Sequence, residues 1–214
     1  MEWLSPWWST EEQDSTFHET FEHELQLEVG PGHVVFGIPA KLIGRHDACD
    51  DALFELCDGT CRVAVVHLTW AKHEERLPWP RTEIYASLES WADQRMCPEH
   101  EDALEQAANY AYTIGNFKEA FAGFSQLWSL GRVSAAKALA EMYLRGEGTT
   151  IDAPKAVELL RRAIEAGDGN AAFNLAAIYH SGGHGMPQDL NFSRHFFIVA
   201  KRLGCEIDVE PFIK

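Results

Sequence analysis

"ALAEMYLRGEGTTIDAPKAVELLRRAIEAG", residues 138–167, is followed by an altered copy of itself, "NLAAIYHSGGHGMPQDLNFSRHFFIVAKRLG", residues 174–204. Leu139 and Leu175 are 36 residues apart, as are Tyr143 and Tyr179, and Gly146 and Gly182. In the first copy, Ser134 stands where a helix N-cap belongs and Gly146 where that helix must stop. Asp152 then caps a second helix, Pro154 sits in its first turn where a missing N–H costs little, and Gly167 ends it. A fixed period of this size, built from two helices and a glycine-punctuated loop, is the signature of a stacked array.

The helix compositions explain why one pair does not suffice. The first helix of each pair is rich in alanine (Ala135, Ala136, Ala138, Ala140; then Ala171, Ala172, Ala176, Ala177), which lets neighbouring helices approach closely. The second helices carry the bulk, such as Val157, Leu160 and Ile164, then Phe196 and Val199. A lone pair leaves one face wet, whereas stacked pairs share a continuous core. An earlier pair, "DALEQAANYAYTIG" and "NFKEAFAGFSQLWSLG", obeys the same rule with a tight turn at Gly115-Asn116.

The order of alanine-rich helix, tyrosine, glycine loop, Asp, Lys-Ala, second helix and Gly resembles Sel1-like repeats, longer-looped relatives of tetratricopeptide repeats. The copy at 174–204 departs from that pattern, with Phe192 and Ser193 in place of Lys-Ala, as in an atypical terminal repeat. The pair over 101–131 is similar to the shorter tetratricopeptide form. The resemblance implies an all-α solenoid whose concave surface binds proteins or peptides, and places Tyr112, Glu141, Asn174 and His180 among the candidate contacts.

Residues 1–98 read differently. "STFHETFEHELQLEV" spaces Phe17, Phe21 and Leu25 four apart, one apolar stripe on a helix edged by acids and histidines. "AKLIGRH", "ALFELC" and "CRVAVVHLTW" follow as strands, with Asp58-Gly59 a hairpin signal between the last two. "LPWPRTEIY" is extended or turn-like because of its prolines, and "SLESWADQRM" closes with a helix started by Ser87 or Ser90. The layout, with "PWW" early, "DDALFEL" central and "PWPRTEIYASLESW" late, is similar to a small bacterial domain without established activity. The expected organisation is an acidic α+β module over 1–98, a helical array over 99–205 and a tail over 206–214.

The charge is lopsided. Of the net −15, residues 1–100 hold −12 (19 acids against 7 bases), and the first 28 residues carry eight acids and neither Lys nor Arg. Such a field repels nucleic-acid phosphates and anionic lipid and attracts a basic protein. The chain opens without a basic region followed by an apolar one, so no leader is expected, and no apolar run is long enough to span a bilayer. With five scattered cysteines expected as free thiols, the reading is a cytoplasmic protein.

Catalytic and metal patterns are thin. His18 and His23 are five apart, not the four that place two ligands on one helix face. His180 and His184 lie in the glycine loop without a third ligand. Cys61 with His67 on one strand, or Cys97 with His100, would be the couples of an enzyme. No phosphate loop is present, and no cofactor or metal is expected.

The residues thus favour a non-catalytic interaction protein. Within that class the expectation is an immunity or antitoxin-like protein neutralising a basic toxin or effector, with a general adaptor or regulatory scaffold as the alternative and an enzyme in the α+β module as a third reading. Trp7 and Trp8 are expected as exposed aromatic anchors. Around them Glu11, Glu12, Asp14, Glu19, Glu22, Asp50 and Asp51 supply charge.

Overall fold

The computed structural model describes residues 1–183 and 185–206. Its contacts divide the chain into two units, Met1–Ala103 and Leu104–Lys214. The division falls inside a helix, five residues beyond the 98/99 boundary read from the sequence. The expected tail lies outside the described residues except for Glu206.

The first unit is a five-stranded antiparallel meander: β1 (Trp7–Ser9), β2 (Ala40–His46), β3 (Asp51–Leu56), β4 (Val63–His67) and β5 (Arg81–Tyr85), in spatial order β1-β2-β3-β4-β5. The three stretches read as strands hold β2, β3 and β4; β5 lies in the stretch read as extended. β1, three residues long, has too few side chains to show a period. Alternation sends Leu42, Phe54, Ala64 and Val66 to one face, where α1 (Ser15–Glu28) lays Phe21 and Leu25 on them. The other face carries Leu53, Val63 and Val65 and is covered by Trp7, Trp91 and Met96. Trp91 ends α2 (Leu88–Trp91), which Ser87 caps by accepting from the Ser90 N–H. The helix runs on through a π-helical turn, Ala92–Met96, into α3 (Cys97–Thr113).

The Asp58-Gly59 signal marks a longer connection than a two-residue hairpin. The Asp58 carboxylate accepts from the Thr60 N–H (3.0 Å) and pairs with Arg62 (2.5 Å). The Thr60 hydroxyl and Arg62 draw its pKa down to about 2. Cys61 lies in this loop at φ 58°, off the strand.

In the second unit, helices pack on their successors: the end of α3, then α4 (Phe117–Ser129), α5 (Ala135–Arg145), α6 (Ala153–Glu165), α7 (Gly169–Ser181) and α8 (Leu190–Arg202). Of the first-helix alanines, Ala135, Ala136, Ala140, Ala171, Ala172 and Ala176 are buried, whereas Ala138 is half-buried and Ala177 exposed; Ala156 and Ala163 of the second helix are buried as well. Leu139, Leu160, Leu175 and Phe197 fill the space between. Ser193, standing where the first copy has Ala156, is buried in its turn, while Phe192 stays exposed and stacks on Tyr179 (5.3 Å between centroids).

Capping follows the aspartates. Asp152 accepts from the Lys155 N–H (2.9 Å), Asp168 from Asn170 and Ala171, and Asp189 from Asn191 and Phe192. Ser134, expected as a cap, has helical backbone angles and makes no capping bond; its hydroxyl lies 3.5 Å from Glu105 instead. Asp152→Ala is therefore expected to lower the stability of the array by about 1 kcal/mol, and Ser134→Ala by a few tenths at most. Urea unfolding followed by circular dichroism measures both, and equal losses would show the assignment of caps to be mistaken.

Candidate functional site

In the first unit, the chain leaving β1, the start of α1, the outer half of β2 and the start of α2 enclose a groove of about 840 Å³. Thr10, Leu42, Ile43, Val63, Leu88 and Trp3 contribute to its walls, and Glu11, Glu19, Glu22, Glu55 and Glu89 ring it. Lys41 and His18 are the basic side chains at the groove. Among the described residues none of the five carboxylates pairs with Lys or Arg. Glu22 accepts from the Leu42 N–H at 3.1 Å. Three candidates from the sequence, Glu11, Glu19 and Glu22, are brought together here.

The others have different places. Trp7 is 2% exposed, so it is no surface anchor: its indole N–H donates to Glu99 and its ring meets Trp91 edge-on at 5.1 Å. Pairing of β1 with β2 turns it into the sheet's second core, which sequence alternation over three residues does not reveal. Trp8 is half-buried, 6.0 Å from the Phe17 ring. Asp14 caps α1 by accepting from the Phe17 N–H (2.8 Å). Asp50 accepts from the Trp70 indole (3.1 Å), and Glu12 is exposed.

Asp51 is 8% exposed and belongs to a buried ionic network, not a docking surface. Arg95 reaches Asp51 (2.5 Å), Glu83 (3.0 Å) and Glu99 (3.0 Å), and His67 Nδ1 donates to Asp51 at 2.6 Å. Burial draws the Arg95 pKa down, but Glu99, Tyr85 and Asp51 outweigh it and leave it raised. Burial, helped by Glu83, pushes the Tyr85 phenol up to about 12. Of this network the sequence shows only the four-residue spacing of Arg95 and Glu99, because the other members come from β3, β4 and β5.

Of the expected enzyme couples, neither forms. Cys61 is in the loop before β4, while His67 is engaged with Asp51. His100 bonds the Ser5 carbonyl (2.8 Å), and Cys97 packs against the core beneath Trp91. A couple that sequence reading passed over does exist: Cys49 Sγ lies 3.2 Å from His46 Nδ1, with Glu99 3.7 Å from His46 Nε2. Its chemistry is muted. Burial raises the Cys49 pKa; the Asp51 backbone draws it back in part while the Asp51 carboxylate adds to the rise, and a thiol held protonated is a poor nucleophile. Among the described residues no group of three His, Cys, Asp or Glu could hold a metal ion.

The second unit has a shallower groove of about 430 Å³ between α5 and α7, lined by Lys137, Glu141, Leu144, Arg145, Asn174 and Ile178. Glu141 and Asn174 therefore lie together, with Glu141 bound to Arg145 (2.7 Å). Tyr112 is elsewhere, its hydroxyl donating to Glu147 (2.8 Å). His180 is near the end of α7, 6.4 Å from the Phe197 ring, and His184 lies outside the described residues. No helix among the described residues is long and apolar enough to cross a membrane.

Stacked helix pairs with side chains of alternate helices lining one groove define a helical solenoid. Residues 133–168 and 169–205 match the Sel1 repeat family, and the chain carries two Sel1 repeats there, modules of protein–protein interaction. The chain is similar to a Sel1 repeat protein from Oxalobacter formigenes, 20% identical with a TM-score of 0.43, over 55% of this chain and 49% of that one. It is also similar to a protective antigen present in uropathogenic Escherichia coli strains that displays an SLR fold (26% identity, TM-score 0.43, 52% of this chain and 25% of that one). Helicobacter pylori cysteine rich protein B is 20% identical with a TM-score of 0.37, over 50% of this chain and 92% of its own. The chain thus spans about half the length of the first and a quarter of the second. No curated protein matches it in sequence.

Proposed function

We propose that the protein is a non-catalytic binding protein of the immunity or antitoxin kind, acting in the cytoplasm to capture and block a basic toxin or effector. The observation that carries this reading is the groove of the first unit, lined by five glutamates against one lysine, Lys41, with none of the five in an ion pair with Lys or Arg among the described residues. The excess of −12 over residues 1–100 supports it from further out. A field of one sign accelerates encounter with an opposite charge and does so less as salt rises. Affinity capture from the native cell at low and at high salt tests the reading. The expected result is a stoichiometric basic protein, released as salt rises, toxic when produced alone and harmless when produced with this chain. Recovery of only weak, unselective partners would sink it.

A general adaptor or regulatory scaffold is the second reading, and the α5–α7 groove favours it. That surface mixes Lys137 and Arg145 with Glu141, which suits a partner of no particular charge. Under this reading the captured protein stays bound when the glutamates of the first unit are neutralised and leaves when Lys137 and Asn174 are replaced by alanine.

A further inference from the structure

The groove of the first unit continues along an unfinished sheet edge. The β1 ladder ends at Ser9 opposite Gly44, the Thr10 N–H adds one more bond to the Ile43 carbonyl (3.1 Å), and among the described residues no strand lies along the Ala40–Leu42 half of β2. The ladder fixes which way those peptide groups point. The Leu56 N–H bonds the Arg62 carbonyl, so Leu56 faces the β4 side. Ala40 stands opposite Leu56, and Leu42 opposite Phe54 two residues on. Both therefore turn their N–H and C=O away from β3, toward the open side. Glu22 Oε1 takes the Leu42 N–H at 3.1 Å, where the carbonyl of a neighbouring strand would otherwise stand. Thr10 Oγ1 approaches the Leu42 carbonyl only at 3.4 Å.

Two cavities meet at that glutamate. The acidic groove of about 840 Å³ reaches it from Ile43 and Leu42, and a second cavity of about 350 Å³ reaches it from Ala40 and Pro39. Glu22 lines both; the larger also reaches Val63 and Leu88, and the smaller follows the chain from Val35 to Ala40. On its α1 side the second cavity is mixed, with Glu22 and Gln26 beside Leu25.

We propose that an extended, lysine- or arginine-rich segment of a protein partner adds to this half-edge of β2 as a further strand. Its peptide groups pair with Ala40 and Leu42. Its carbonyl replaces Glu22 on the Leu42 N–H, and the released carboxylate, with Glu19 and Glu11, receives the basic side chains. Main-chain pairing supplies affinity and the carboxylates supply selection, the division of labour of strand addition generally. The occupant follows from charge: a ring of five glutamates repels an acidic segment and leaves a neutral one without partners for the rim. This inference rests on the reading of a basic protein partner and adds where on the chain, and in what conformation, that partner is held.

The test uses the full chain and a short labelled peptide alternating lysine and valine, followed by fluorescence anisotropy. A second peptide of the same sequence carries N-methyl groups on alternate residues, which keeps its charge and removes its donors. Binding is expected, weakened about tenfold by N-methylation and about tenfold again in Glu19→Gln/Glu22→Gln. Gln at 22 still offers an acceptor to the Leu42 N–H, so the fold is kept, and unchanged tryptophan fluorescence verifies it. Absence of binding overturns the proposal. So does binding indifferent to N-methylation, which would mean attraction by charge alone, or binding indifferent to the two glutamines. The partner reading is separable: if the captured basic protein is held equally well by the double variant, strand addition at β2 fails while the basic partner stands. If no basic protein is captured but the peptide binds with both sensitivities, the edge site stands without that partner.

Discussion

Arg95→Ala is expected to lower the stability of the first unit by about 3 kcal/mol, the typical loss when one member of a buried ionic group is removed. Arg95 faces three carboxylates, of which Asp51 is buried with it (11% and 19% exposed) and carries the expected loss, while Glu99 (33%) and Glu83 (66%) are screened by solvent and add little. Its guanidinium also sits over the Trp7 ring, 5.5 Å from the centroid. Among the described residues, deletion takes the only Arg or Lys from Asp51, which keeps His67, and leaves Glu99 with the Trp7 indole and His46. Lysine at this position keeps the charge but not the fork, and recovers part of the loss. The exposed pair Arg162–Glu158 (61% and 60%) is the control, and Arg162→Ala is expected to change stability by about 0.3 kcal/mol. Six of the seven tryptophans belong to the first unit, so urea unfolding read by indole fluorescence reports it selectively. A loss below about 1 kcal/mol would show that the network contributes little.

The largest effect in the array is expected from Gly148→Ala, again about 3 kcal/mol. Gly148 has φ 72°, a region where a Cβ costs about 1 kcal/mol or more. The added methyl would also fall on the Phe117 carbonyl at the start of α4, which is backbone and yields little. Gly146 is the instructive comparison. It has the same φ, yet its Cβ would meet chiefly the flexible Ile151 side chain, and Gly146→Ala is expected to cost about 1 kcal/mol. Circular dichroism during thermal unfolding separates the two. Equal shifts would mean that conformation alone, and not the approach of the loop to α4, sets the cost.

The array was legible because its signals are local and repeated. Asp152 and Gly167 punctuate a helix wherever they occur, and a copy 36 residues on confirms the period. Ser134 misled because serine is an equally good cap in isolation, and only the backbone at that residue decides. The first unit was legible strand by strand where an apolar-rich stretch runs five residues or more, as in β2, β3 and β4, and not in β1. Its acids show the limit most plainly. Glu19, Glu22, Glu24 and Glu28 share one helix and one chemistry, yet their fates divide. Glu28 is fully buried, accepting from the Thr69 and Ala71 N–H groups, and Glu24 accepts from Lys72. Glu19 and Glu22 line the groove. Which carboxylate holds a loop and which faces an opening depends on a segment more than forty residues away, and no helical period carries that information.

The meander order of the sheet has a consequence for how the molecule is made. Each strand lies beside the next in sequence, and each helix of the array packs on its successor. Contacts between near neighbours are reached early and cheaply in chain entropy, so both units are expected to fold fast for their size. The first is closed only when Trp91, Met96 and Glu99 are in place. During synthesis from the N-terminus, about a hundred residues must therefore emerge before the sheet can shut its second face, whereas the array gains a finished layer with every helix pair that follows.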